Sequence, residues 1–349
     1  MNVHFEGVLV TATGQPAVTP ERISALAWGY AAPLILETAV RQGIFDRLDG
    51  GSKSIAELAA LTGASRRGLR AILHALAGFN LLTKDEEGRF SLTPESSAFL
   101  VSTRPAYMGG LIRHTSAQVI PLWLKLNEAV VAGKPATGVN HEDPGAEFFH
   151  EFVMDIFPMS YPSAQALAAH LAEAGKAAPA SALDLAAGSG VWGIALAQAF
   201  SDLRVTAVDW PRVLEVTRRS VGRFGLTDRF SLVGDDLLEA DFGSGHQIAT
   251  LGHILHSEGE RRSRALLRKT YDALAPGGTI AIAEFLVNED RSGPPNGLLF
   301  AVNMLVATEE GDTWSFPEIA AWLEEAGFES ARTLPSPGPS PLILADRPA

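Results

Sequence analysis

Leucine, isoleucine and alanine recur every three or four positions between Arg22 and about Phe99, in residues 23–40, 54–61 and 66–76. That spacing gathers them on one face of a helix. Ser54 followed by Glu57 has the form of a capping box, in which each residue satisfies a free N–H of the other at a helix start. After the third helix, residues 81–84 and 89–92 alternate around the polar turn 85–88, which predicts a hairpin. Helix, turn, helix and hairpin make a winged-helix-like arrangement.

Residues 107–171 keep helical spacing but carry many large side chains, among them Trp123, Phe148, Phe149, Phe152, Phe157 and Met159. Such a stripe forms plain core or the wall of a small-molecule pocket. Lying between two domains, it fits both readings, and Trp123 and Phe157 are its candidate acceptor contacts.

Past the Ala/Gly/Pro-rich stretch 172–180 the rhythm changes. Short apolar runs at 182–186, 204–208, 230–233, 248–251 and 279–283 alternate with helical segments, and 341–345 supplies an apolar last strand. Alternation of this kind builds βαβ units. The predicted fold is therefore α/β, with a Rossmann-like, mainly parallel sheet at 176–349, lid helices at 106–175 and a helical winged-helix-like domain at 1–105. A chain of 349 residues suits that division.

Hydrophobic residues make up 46% and charged ones 19%, a globular composition, and the net charge is -12. Such a surface repels phosphate backbones and anionic lipid, so the expected partner is a small molecule, with no nucleic acid and no membrane. Arg66, Arg67 and Arg70 stand together on the third helix, either as DNA-phosphate contacts or as a solvated face. With no cysteine, thiolate chemistry is excluded and no metal is expected. Residues 1–20 lack a basic start with an apolar run, and no apolar stretch nears the ~20 residues of a membrane span, which predicts a cytoplasmic protein.

The most informative stretch runs from Asp184 to Gly193, with Gly188, Gly190 and Gly193 between a strand and the helix 194–200. Glycines let the backbone turn tightly, and the N–H groups of the next helix point at a ligand. Alone, the pattern fits nicotinamide and flavin sites too. Asp209 closes the second strand, on the order of 20 residues later, where a carboxylate accepts from ribose hydroxyls. Gly234-Asp235-Asp236 closes the third, where an acid can receive an adenine amino group. Acids after three successive strands make the pattern of an S-adenosylmethionine site.

With these, Val208-Asp209-Trp210-Pro211-Arg212-Val213, Ile254-Leu255-His256, Leu274-Ala275-Pro276-Gly277-Gly278 and Ala283-Glu284 resemble the successive motifs of the caffeate and acetylserotonin O-methyltransferase family, in particular its bacterial members. The resemblance covers nearly the whole chain. It implies S-adenosylmethionine as cofactor, S-adenosylhomocysteine as product, and a homodimer formed through the N-terminal domain. It implies Gly188 and Gly190 beside the methionine end, Asp209 at the ribose, Asp235 or Asp236 at the adenine, and Trp210 against the adenine face. Ser160 matches a position reaching the cofactor carboxylate, and Asn303 and Met304 match a helix lining the acceptor pocket. There are three departures from the pattern: Ser257, Glu258 and Gly259 follow the histidine where the family has Asp and Trp, Thr313 stands in place of a second Glu, and Gly252 in place of a lysine.

Methyl transfer from a sulfonium is an in-line displacement, so most of its catalysis is positioning. A hydroxyl becomes a good nucleophile on losing its proton, and histidine is the usual base. His256, read as the end of the strand segment 248–255, lies at the carboxyl edge where open α/β sheets bind ligands, and it matches the family's catalytic histidine. Glu284 ends the next strand on that edge and would orient the ring, as the acid does in a hydrolase triad. His253, within the same predicted strand, should face away and is read as structural. His114 in the lid region is either a substrate contact or a surface residue.

The leading expectation is an O-methyltransferase acting on a small aromatic or polyketide-like secondary metabolite. Its alternatives are a non-methylating enzyme that uses the sulfonium as a fixed charge, and a winged-helix DNA-binding regulator with a ligand-sensing C-terminal domain. A nicotinamide oxidoreductase is a more distant one.

Overall fold

The structure, a computed structural model, describes residues 18–136, 138–139, 148–149, 152–173, 178–338 and 340–349. The chain divides into two compact units, Met1–Ser97 and Ala98–Ala349.

In the first unit, helices Glu21–Ala27, Ala31–Arg41, Ile44–Leu48, Ile55–Thr62 and Arg66–Gly78 precede an antiparallel hairpin, β1 (Leu82–Lys84) with β2 (Phe90–Leu92). Both halves of the expected capping box form: Ser54 Oγ accepts the Glu57 N–H, and Glu57 accepts the Ser54 N–H at 2.7 Å. The helix Arg66–Gly78 buries Leu69, Leu73 and Leu76 and leaves Arg66, Arg67 and Arg70 exposed. Residues 23–40 do not form one helix. They break at Trp28–Gly29–Tyr30, where a Cβ on Gly29 would lie 3.1 Å from the Leu26 carbonyl. The stretch Glu21–Arg41 is still the one helical stretch among the described residues long and apolar enough to cross a membrane by length and composition, where the sequence reading expected none.

The second unit is built on a seven-stranded sheet: β3 (Ser181–Leu185), β4 (Arg204–Asp209), β5 (Phe230–Gly234), β6 (His246–Gly252), β7 (Leu274–Ala283), β10 (Glu329–Leu334) and β11 (Leu342–Asp346). A short parallel pair, β8 (Leu286–Val287) with β9 (Trp314–Ser315), stands apart. The order is β10-β11-β7-β6-β3-β4-β5, parallel except at β11 and β10. Leu183, Leu185, Leu251, Ile282 and Ile343 are fully buried, as expected of strands covered on both faces.

Topology decides where chemistry can sit. From β3 the chain steps outward to β4 and β5, then crosses to β6 and β7 on the other side. The carboxyl ends of β3, β4 and β6 therefore open on the crevice where strand order reverses. Register places Asp184 beside Ala207 and Thr250, Asp209 beside Gly234, and Gly252 beside Ala283.

Candidate active site

Asp184 is buried behind the glycine turn, where its carboxylate accepts the Gly193 N–H at 2.9 Å and the Thr250 hydroxyl at 2.8 Å. Burial pushes its pKa up to about 7 against these two donors. Gly193 has no room for a side chain, since a Cβ there would meet Val205 at 2.8 Å. Gly190 starts the helix Val191–Ala199 at φ 76°, a conformation that favours glycine. Asp184 and Gly190 do not line the cavity in front of the turn, so they shape the cradle from behind, whereas Gly188 forms part of its wall.

At the end of β4, Asp209 accepts the Gly188 N–H at 2.8 Å through one oxygen and the Trp210 N–H at 2.7 Å through the other. Burial raises its pKa to about 6, held from rising further by those N–H groups. Asp235, after β5, donates its N–H to the Asp209 carbonyl and keeps an exposed carboxylate on the cavity, with one oxygen accepting the Asp236 N–H. Its neighbour is differently engaged: Asp236 pairs with Arg262 at 2.8 Å, and Arg262 also holds Glu258 at 2.5 Å. Burial pushes Glu258 up in pKa against the pull of Arg262.

These groups border a cavity of about 330 Å³. Trp210 lies on its wall, as does Ser160 from the helix Phe157–Glu173. Leu111, Phe149, Phe152 and Ile156 form an apolar side, with Phe285 and Phe300 beyond. A strand-end carboxylate, an aromatic face, a second carboxylate and backbone at a glycine turn are a donor set that fits an adenosine-bearing ligand. No group of His, Asp and Glu able to hold a metal occurs among the described residues.

At the far side, the His256 Nδ1 lies 2.6 Å from Glu284 Oε1, while the His256 backbone N–H donates to Oε2 at 3.1 Å. Glu284 is fully buried, and although burial favours its neutral form, His256, His253 and the Phe285 N–H together hold its pKa below the usual carboxylate value. An ionised Glu284 accepts from Nδ1–H and so leaves Nε2 with the lone pair. The ring packs edge-on against Phe300 at 4.8 Å and lies on the cavity.

His256 does not end a strand. β6 stops at Gly252, and His256 sits in the first turn of the helix Leu255–Ala273. The break is at His253, whose φ of 62° is left-handed. Strand alternation ends there, and His253, expected to face away, lies on the cavity with its ring 6.5 Å from that of His256 and its Nε2 2.8 Å from Ser340 Oγ. Burial pushes its pKa down to about 4, with Glu284 opposing.

Five expected acceptor contacts stand off the cavity wall. His114 is buried, bonded to Gln118 at 2.5 Å and stacked on Phe152 at 3.9 Å, so it backs a wall residue, and burial lowers its pKa. Trp123 Nε1 donates to Asn303 at 2.8 Å, and each satisfies the other. Met304 is core, and Phe157 stacks against Tyr161 and Phe224 in a cluster of three rings. Gly252 leaves the family lysine no room, because a Cβ there would lie 2.0 Å from the Trp192 indole nitrogen. Thr313 is buried. Glu258, Arg262, Trp192, Phe285 and Phe300 line the cavity without having been foreseen. Only the four-residue spacing of Glu258 and Arg262 carried a signal, that of a helical ion pair.

A reversed-order parallel sheet, a left-handed glycine turn and acids on successive strand ends define a Rossmann-like class I methyltransferase that uses S-adenosylmethionine. More particularly, the chain belongs to the O-methyltransferase family: the O-methyltransferase domain matches residues 163–329, and the O-methyltransferase dimerisation domain matches residues 24–102. A relative from Streptomyces sahachiroi, 3-hydroxy-5-methyl-1-naphthoate 3-O-methyltransferase, is 31% identical over 332 residues, covering 93% of this chain and 94% of its own. A crystal structure from Nostoc punctiforme is 28% identical with a TM-score of 0.87, covering 95% of this chain and all of the other. PigF of a Serratia species, solved with S-adenosylhomocysteine, is 26% identical with a TM-score of 0.79, covering 95% of this chain and 100% of that one.

Proposed function

We propose that the enzyme methylates a hydroxyl of a small aromatic or polyketide-like secondary metabolite, with His256 as general base and Glu284 as the residue that positions it. The 2.6 Å contact between His256 Nδ1 and the buried Glu284 carries this reading, because it fixes the tautomer with Nε2 as proton acceptor. The acceptor class draws on the aromatic wall of Phe149, Phe152, Phe285 and Phe300 and on the naphthoate named for the Streptomyces sahachiroi relative.

S-adenosylmethionine, when bound, supplies an electrophilic methyl carbon on a sulfonium. Asp209 holds the ribose hydroxyls, Asp235 the adenine amino group, and Trp210 packs on the adenine face. Gly188 and Ser160 border the methionine end. Asp236, committed to Arg262, steadies that wall without touching the ligand. His256 Nε2 receives the acceptor's hydroxyl proton, and the imidazolium so formed is balanced by the Glu284 carboxylate. The described helices within 106–175 act as the acceptor-side lid. The matched dimerisation domain pairs two copies, using exposed Ile23, Leu26, Trp28 and Tyr30.

Incubation with labelled S-adenosylmethionine and a panel of naphthols and hydroxynaphthoates tests this. Transfer to oxygen, with S-adenosylhomocysteine formed in equal amount, is the expected result. Product without S-adenosylhomocysteine would mark the sulfonium as a fixed charge instead, and transfer undiminished in His256→Ala removes the base.

A further inference from the structure

The reaction as described uses one of the two histidines on the acceptor side and leaves the other unexplained. His253 is a cavity residue with no role so far. Three independent observations set it apart. Its backbone is left-handed, which a non-glycine residue adopts at some energetic cost and which tends to cluster where chemistry requires it. Its main chain is pinned in that conformation, the N–H donating to the Ala283 carbonyl at 2.9 Å. Its Nε2 is held by Ser340 Oγ at 2.8 Å, which fixes the ring plane and commits one nitrogen.

We infer that His253 is a specificity-determining residue that hydrogen-bonds a second oxygen of the acceptor, next to the hydroxyl addressed by His256. With Nε2 taken by Ser340, Nδ1 is the nitrogen left for the ligand, and no bond to it occurs among the described residues. The two rings, 6.5 Å apart and tilted by 52°, flank one stretch of cavity wall with Phe285 packed against both. Rings at that separation are close enough for two hydrogen bonds of about 3 Å, one from each, to reach neighbouring oxygens of one aromatic nucleus. The groups around His253 divide the labour. Burial keeps it neutral, with its pKa down to about 4, so it hydrogen-bonds without competing for the proton that His256 receives.

The assignment rests on the proposed role of His256 only for which oxygen is methylated, and binding tests it without turnover. Calorimetry on the S-adenosylhomocysteine-loaded enzyme compares naphthalene-2,3-diol with 2-naphthol, which differ by one oxygen. A neutral hydrogen bond predicts a preference of roughly 3- to 10-fold for the diol. His253→Ala should bring the ratio close to one while S-adenosylhomocysteine affinity stays within about twofold, and damage common to both ligands cancels in the ratio. Should that variant fail to fold, the imidazole nitrogens of His253 in the unaltered enzyme are followed by NMR, and they should shift with the diol and not with the naphthol. Equal affinity for the two compounds in the unaltered enzyme overturns the inference, as do binding of neither compound, a ratio that survives His253→Ala, or nitrogens that ignore the diol. His256→Ala separates the two readings: persistent methyl transfer in that variant sinks the base and leaves the binding ratio to judge His253.

Discussion

The two sides of the cavity are built by different means. On the side proposed for the cofactor, the wall presents backbone N–H groups and strand-end carboxylates, and their places follow from sheet register and a glycine turn. On the acceptor side the wall comes from side chains of helices and loops far apart in the chain, such as Leu111, Phe152, Phe285 and Phe300. The polar groups there include two hydrogen-bonded pairs, His256 with Glu284 and His253 with Ser340. The first side is fixed by sheet topology, whereas the second is set by side chains, which can be exchanged without rebuilding the fold.

Substitutions should separate the two sides. The largest effect is expected from His256→Ala, a loss of about 10²- to 10⁴-fold in kcat with S-adenosylmethionine affinity unchanged; a parallel fall in affinity would merge the two regions. Glu284→Gln should cost roughly 10- to 100-fold in kcat, because the amide no longer enforces the tautomer or balances the imidazolium. Single-turnover rates with cofactor in excess check it.

The pH dependence sharpens the comparison further. Asp209 must be ionised to accept from ribose hydroxyls, and its pKa is raised to about 6. Cofactor affinity should therefore drop about tenfold between pH 7 and pH 5, measured by titration. In the cofactor-free protein the sign is opposite. An acid whose folded pKa exceeds its unfolded value of 3.8 binds its proton more tightly in the native state, so its contribution to stability rises as pH falls through about 6. The smallest effect is expected at His114, off the cavity: His114→Phe should leave kcat/KM within about twofold and shift the melting temperature by a few degrees at most.

The same contrast explains what could be read from the chain. The alternating apolar runs and the glycine turn place the sheet and put Asp209 and Asp235 at strand ends on the cavity, because period and loop position are local properties. What escaped were long-range pairings. Trp123 and Asn303, 180 residues apart, satisfy one another away from the cavity. Asp235 and Asp236 look equivalent in the sequence, which gives no sign that Asp236 pairs with Arg262. His253 looked structural because β6 was carried past its end, and only a left-handed residue, which no periodicity announces, turns that histidine onto the cavity. The break at Gly29 escaped because apolar spacing runs straight through it.

All of this depends on Asp209 and Asp235 forming one cradle with the Gly188 turn for an adenosyl sulfonium. Calorimetric titration of S-adenosylmethionine into the enzyme and into Asp209→Ala measures that directly. Saturable one-to-one binding, weakened by about 100-fold or more in the variant as two charge-assisted hydrogen bonds are lost, is the predicted result. Equal affinity in both proteins, or no heat of binding in either, would contradict it.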